Sequence, residues 1–212
     1  MIKMSLLENG VDSLKSSYLI MEKIPELQEG LSHNIKDAVI SLNHGIEILF
    51  KLVLKEINEY LVFTDLDNYM LAKKKMLSEN MRNVFEAKPG LKTVSLNEAM
   101  RRARYLCGIE INSDLETVIN YLNKKRNEFM HYEIHLSEEE MMELLSKLRV
   151  GYELSVQFFG LHIEGLEELI RGARYEITVE DYSDELAAMY GEMQYDEWRD
   201  SQVDDDYHWE SR

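Results

Sequence analysis

Arg126, Asn127 and His131 close the apolar helical stretch LETVINYLNKKRNEFMHYE, and they are the residue types that phosphodiester chemistry needs. A guanidinium holds a phosphate through a fork of donors, and an imidazole, which titrates near neutrality, can move the proton that cleavage requires. The combination suits ribonuclease work without a metal. Spacing alone does not establish it, because an arginine and a histidine five apart arise by accident in a chain of 212 residues. The elements that present them have to carry the case.

On an ideal helix five residues rotate by roughly 140° and rise about 7.5 Å, so Arg126 and His131 diverge and a site composed from two subunits is expected. Asn127 and His131, four apart, share a face, whereas Arg126 falls in line with Ile119, Leu122 and Phe129 on the inward stripe. An arginine there must be paired or covered at an interface. Glu47, beside His44 and Lys51 on the polar margin of the strongest helix, is the candidate partner. Two readings therefore stand together: catalysis by Arg126 and His131, or an Arg126 to Glu47 ion pair tying two helices, with His131 finishing a helix.

A metal site is not expected. His131 and His135 are four apart, but the zincin pattern needs glutamate directly after the first histidine and Tyr132 stands there. A capping box at Ser137 also leaves His135 in a connection, off the face of His131. The chain carries no Gly-x-Ser-x-Gly, phosphate-binding loop or dinucleotide fingerprint, and no cofactor is expected. Cys107 is the sole cysteine, so no intrachain disulfide can form, and His33, His162 and His208 are isolated.

The positioning elements are helical throughout. Two prolines, Pro25 and Pro89, and the absence of any long alternating pattern predict an all-α chain. Leu7, Val11, Leu14, Tyr18 and Met21 form the face of a first helix that Pro25 should end or kink. A second, from about Ser32, aligns Ile35, Val39, Leu42, Ile46, Leu49, Val53 and Ile57. A short helix is expected around Asp67 to Glu79, and ENMRNVFEAKPGLKTV, with its Pro-Gly, reads as a loop. Three Ser-x-x-Glu boxes, Ser95 with Glu98, Ser113 with Glu116 and Ser137 with Glu140, mark further helix starts. The last opens a long helix with Met141, Leu145, Leu148, Tyr152, Phe159, Ile163 and Leu166 inward, along which Gly151, Gly160 and Gly165 are candidate breaks. Residues 1–171 are expected to form one helical domain. Residues 172–212 read as an acidic tail with Tyr175, Tyr182, Tyr190, Tyr195, Trp198, Tyr207 and Trp209, and at most a short helix near Ser183 to Trp198.

Charge is unevenly divided. The net charge is −16, and residues 165–212, with 15 acidic and 4 basic residues, carry −11 of it. Residues 71–104 hold nine basic residues against three acidic ones. Within that stretch Lys73, Lys74, Lys75, Arg101, Arg102 and Arg104 are candidate RNA contacts, with a solvated helix face as the plain alternative. No apolar run reaches membrane-spanning length and the first twenty residues do not read as a signal peptide, so a cytoplasmic protein without membrane contact is expected.

HGIEILFK (44–51) on the second helix and KKRNEFMHYE (124–133) on a later one make the chain similar to the HEPN superfamily, small up-and-down helical bundles named for higher eukaryotes and prokaryotes nucleotide-binding. The resemblance runs from about Glu8 to Ile163, with ENGVDSLK and LKTVSLNEAMRR also similar to a bacterial branch. It implies an up-and-down helical bundle; the acidic C-terminal extension, from Gly165, lies outside the resemblance. It further implies a metal-independent endoribonuclease, a toxin or phage-defence effector, whose two subunits juxtapose Arg-x4-His motifs across a homodimer. Arg126 and His131 take the site positions, Asn127 the polar position after the arginine, and Glu47 the acidic position of the helix behind. RNA is the implied substrate, and a cognate antitoxin or nucleotidyltransferase the implied partner. One toxin branch has a modified tyrosine two places after the histidine; here Glu133 stands there and the tyrosine is Tyr132. The alternatives are a noncatalytic dimerisation or nucleotide-binding module, and an interaction protein whose acidic aromatic tail occupies a basic surface.

Overall fold

The computed structural model describes residues 3–209, the side chains of residues 180, 185 and 200–209 excepted. Among the described residues regular structure is helical, and backbone pairing outside helices is a single antiparallel bridge between Phe63 and Thr93. The all-α expectation holds. The chain divides into a bundle, Met1–Arg174, and a second unit, Tyr175–Arg212.

Helix α1 (Leu6–Lys23) starts at a reciprocal box in which Ser5 Oγ accepts the Glu8 amide and the Glu8 carboxylate accepts the Ser5 amide. Pro25 lies in a short 3₁₀ turn, Ile24–Glu26, directly beyond it, where its missing amide breaks no helical bond. Helix α2 (Leu31–Ile57) buries the expected face from Ile35 to Val53, while Ile57, in its last turn, is exposed. It also buries Ala38, Asn43, Gly45, Phe50, Lys51 and Leu54, so burial extends nearly all round, as for a central helix.

α1 and α2 run antiparallel in unusually close contact. A Cβ on Gly10 would sit 2.5 Å from Leu49 Cδ2, and one on Gly45 would sit 3.1 Å from the Gly10 carbonyl oxygen. The near-absence of side-chain bulk there lets the backbones approach, and further along Ser17 Oγ donates to the Ala38 carbonyl at 3.1 Å.

After a 3₁₀ turn at Glu59–Val62, helix α3 (Leu66–Ser78) starts at Asp65, whose carboxylate accepts the Asn68 amide. The segment expected to be a loop contains one helical turn, α4 (Val84–Ala87), held by Asn83 Oδ1 accepting two amides. Val84, Ala87, Leu91 and Val94 are buried at steps of three and four; the Pro-Gly pair interrupts the helix but not the inward pattern. Helices α5 (Leu96–Cys107), α6 (Ser113–His131) and α7 (Glu138–Gly160) follow.

The three expected boxes differ in structure. Ser137 and Glu140 form the full reciprocal cap. Ser95 Oγ accepts the Glu98 amide, but the Glu98 carboxylate turns to Arg101 and Arg102 instead of back. At α6 the cap is Asn112, not Ser113: Asn112 Oδ1 accepts the Asp114 amide at 2.7 Å, and Glu116 bonds Arg104 at 2.7 Å. A stronger partner removed the glutamate from its capping role in both cases.

Gly151 does not break α7; a Cβ there would meet Leu122 Cδ1 at 2.7 Å, which marks the close crossing of α6 and α7. Gly160 ends α7, and Gly165, with φ at +67°, opens α8 (Leu166–Gly172). Leu148 and Phe159 are buried as expected. The fully enclosed positions of α7 also include Leu144 and Ser155, while Met141, Leu145 and Tyr152 lie at the half-buried margin. Phe159 packs edge-on to Phe50 of α2, ring centroids 5.0 Å apart.

In the second unit a helix α9 (Val179–Trp209) replaces the expected short helix near Ser183 to Trp198. Thr178 Oγ1 accepts the Asp181 amide and Asp181 Oδ2 accepts the Thr178 amide, a reciprocal cap of the same type, and the sequence beyond it is free of proline. Tyr182, Met189, Tyr190, Met193, Tyr195 and Trp198 are exposed; the side chains of Tyr207 and Trp209 lie outside the described residues. Among the described residues no helix is long and apolar enough to cross a membrane.

The α1–α2 contact is testable. Gly10→Ala should destabilise the bundle by about 1–3 kcal/mol, the usual result of inserting bulk into a packed core. Gly160→Ala, with nothing within 4 Å of its new Cβ, should be neutral or stabilising by up to about 1 kcal/mol. Urea midpoints of the two variants separate the cases, and equal shifts would contradict the close approach.

Candidate functional site

The site is built on the last turns of α6. Acidic residues Asp114 and Glu116 occupy its first turn and His131 its last, an order that suits the helix dipole. Leu115, Val118, Ile119 and Leu122 bury its inner face. Beyond Leu122 the stripe leaves the core: Arg126 is half-buried, Phe129 is half-buried against the core, and Asn127, Met130 and His131 are exposed. Tyr132 is extended, 84 % exposed, and ends the helix by donating its amide to the Glu128 carbonyl.

Because α6 stays regular through His131, the Arg126 and His131 side chains leave it roughly 140° apart and do not converge within one chain. Arg126 Nη1 donates to Asn127 Oδ1 at 3.0 Å, so the structure brings these two together. Lys125 is held by Glu128 at 3.0 Å. The structure records no hydrogen bond or ion pair of His131 among the described residues.

The expected Arg126 to Glu47 pair does not form. Glu47 Oε1 accepts from Lys51 Nζ at 2.6 Å, and Lys51 also donates to Thr93 Oγ1 at 3.0 Å. The register of the helices explains it. Phe129 and Ile35 line one cleft, and Leu122 and Leu42 meet at Gly151, so α6 runs antiparallel to α2 and Arg126 stands level with Ala38. Glu47 lies about nine residues further along α2, about 14 Å by helical rise. The sequence does carry a sign of the real pair: Lys51 is the one charge in the run ILFKLVL, and a cation there must be buried with a partner.

Beside Phe129, the start of α2 (Leu31, Ser32, Ile35), the connection Ile134 to Leu136 and Met141 enclose an open cleft of about 370 Å³. His135 lines it and lies in the connection, exposed, 3.7 Å from Glu133. Among the described residues no group of three His, Cys, Asp or Glu side chains could hold a metal ion.

Part of the basic charge between Lys73 and Arg104 is engaged within the bundle. Lys73 pairs with Glu59 at 2.6 Å. Arg102 bonds Glu98 and the carbonyls of Leu61 and Phe63, and Arg104 bonds Glu116 and the Ile111 carbonyl. The Arg104 guanidinium holds the Glu116 carboxyl below its ordinary range. Exposed charge is left at Lys74, Lys75, Arg82, Lys92 and Arg101, with Arg82 shared with Glu86 and Arg101 with Glu98. Near the site, Tyr121 on α6 has its phenol pushed up by burial and by Glu143.

Because Arg126 leans on its neighbour alone, Arg126→Ala should cost less than about 1 kcal/mol, as for a surface contact. Lys51→Ala removes one side of a largely buried pair and should cost about 3 kcal/mol. Urea unfolding of both variants checks this, and a larger loss for Arg126→Ala would mean it anchors helices after all.

Compared with family models, curated proteins and solved structures, the chain finds no match.

Proposed function

We propose that the protein is a metal-independent endoribonuclease of the HEPN type, working as a homodimer. The observation that carries this reading is the state of the motif: His131 is exposed at the end of a regular helix, and Arg126, half-buried beside it, is not consumed in an ion pair. That removes the structural use of Arg126 that competed with catalysis. The bundle, with its long α2 and an antiparallel α6, fits the architecture that the resemblance of HGIEILFK and KKRNEFMHYE implies.

The chemistry follows from the divergence of the two side chains. In a symmetric dimer two copies of the end of α6 face one cleft. His131 takes the proton of a ribose 2′-hydroxyl, the 2′-oxygen attacks phosphorus, and the P–O5′ bond breaks. The partner subunit's His131 gives a proton to the leaving 5′-oxygen, and the product is a 2′,3′-cyclic phosphate. Arg126 offsets the added negative charge on phosphorus, and Asn127, bonded to it, holds its guanidinium in place. A toxin or phage-defence role, with a cognate antitoxin or nucleotidyltransferase, belongs to the same proposal. Tyr132, exposed beside His131, is the nearest side chain such a partner could modify.

The noncatalytic alternative, a HEPN dimerisation or nucleotide-binding module, has its own support in the engagement of Lys73, Arg102 and Arg104 by internal partners. That takes three of the six candidate RNA contacts out of the free basic surface.

Cleavage of a fluorogenic oligoribonucleotide separates the two. His131→Ala should lower the rate at least about a hundredfold while RNA binding and melting temperature persist, since general acid–base catalysis typically supplies roughly 10²- to 10⁴-fold. Chelators should leave the wild-type rate unchanged. Wild-type protein inert on every RNA tried, or sedimentation as a monomer at micromolar concentration, would favour the noncatalytic module.

Truncation after Arg174 removes the second unit and most of the negative charge. RNA affinity should rise or stay constant, more so at low salt, because long-range repulsion of phosphates falls. Weaker binding by the truncated protein, measured by fluorescence anisotropy, would place the tail in the binding surface.

A further inference from the structure

A second cleft lies at the other end of α2, about 470 Å³ in volume, between the start of α1, the last turns of α2, the turn at Glu59–Val62 and α4. Sixteen residues, about 24 Å of helical rise, separate Ile35 in the first cleft from Lys51 in this one. Its size falls in the range of small-molecule sites, and its make-up, apolar walls with a few placed polar groups, is that of such sites. Ile48, Val62, Phe63, Val84 and Phe85 supply the walls, with the Phe63 and Phe85 rings 5.8 Å apart.

The polar groups are specific. Lys51 is 6 % exposed and lines the cleft. Its ammonium has three donors, of which two are used, on Glu47 Oε1 and Thr93 Oγ1. A buried charged group with a spare donor facing open space is costly unless something accepts from it. The charges around it pair off: Glu47 offsets Lys51, and Glu59 is taken by Lys73 at 2.6 Å and by the Tyr69 hydroxyl at 2.8 Å. Lys55, which also lines the cleft, makes no hydrogen bond or ion pair among the described residues and acts on Glu59 only through its field, helping to lower that carboxyl. The remaining charge is one positive unit.

We infer that this cleft binds a small organic monoanion, its acidic head on Lys51 and Lys55 and its apolar body between Ile48 and the Phe63 and Phe85 rings. The inference does not depend on the ribonuclease reading, since the two sites share no residue and the assay uses no RNA.

The test is fluorescence titration of the full chain with anilinonaphthalene sulfonate, and with the uncharged phenylnaphthylamine as a control for apolar contact. Wild type should bind the anionic dye at one saturable site, displaced by phenylbutyrate or decanoate, which distinguish an aryl from an alkyl body. Lys51→Met should weaken the anionic dye by at least about tenfold, the scale of a lost charge-assisted hydrogen bond. Lys55→Ala should weaken it less, about threefold, and neither should move the uncharged dye. If Lys51→Met alone does not fold, the double variant Glu47→Gln with Lys51→Met, checked by melting, carries the same expectation. Phe85→Ala, at the exposed edge of the cleft, should weaken both dyes. Absence of saturable binding to folded wild type, failure of both acids to compete, or equal loss of charged and uncharged dye in the lysine variants would overturn the proposal.

Discussion

The approach of α1 to α2 at Gly10 and Gly45 sets the geometry of the bundle. With no Cβ on either side, the two backbones pack where any larger residue would meet Leu49, Leu14 or a carbonyl oxygen. α2 is thereby covered on one side by α1 and on others by α5, α6 and α7. A helix enclosed on so many sides must be apolar nearly all round, and its sequence from Ile46 to Leu54 is. The remaining elements take their places by level along α2, which is why the ends of that helix hold two different clefts.

Charge placement follows from the same enclosure. Lys51 points into a crowded side of α2 and needs an acceptor; Glu47, one turn back, and Thr93, brought alongside by the Phe63–Thr93 bridge, provide two. Arg126, at another level along α2, lies at the edge of the bundle with Asn127 as its hydrogen-bond partner. The arginines of α5 show the converse. Arg102 ties α5 to the turn before α3, and Arg104 ties α5 to the start of α6, so residues that read as a basic surface in sequence hold connections in the fold.

The second unit obeys the same local rules. Its helix starts at a reciprocal Thr178–Asp181 cap, and Tyr182, Met189, Tyr190 and Met193 fall at helical spacing on its exposed surface. Most of the chain's excess acidity lies here, so this unit dominates the net charge of the protein.

Helix content, the long α2 and its inward stripe were legible in sequence because they depend on periodicity and on proline placement, both local properties. Caps were legible to the extent that they are local. Ser137 with Glu140 formed as written, and Ser5 with Glu8 and Thr178 with Asp181 carried the same sign; Glu98 and Glu116 were drawn away by arginines that no local rule could weigh. The spacing of Arg126, Asn127 and His131 established which of them share a face, since helical rotation is fixed. The partner of Glu47 was decided by tertiary structure: the level at which α6 crosses α2 puts Arg126 about 14 Å along the axis from it, and that level depends on where Leu122 meets Gly151. The second acceptor of Lys51 likewise exists only because Lys51 and Thr93, 42 residues apart in sequence, were brought side by side.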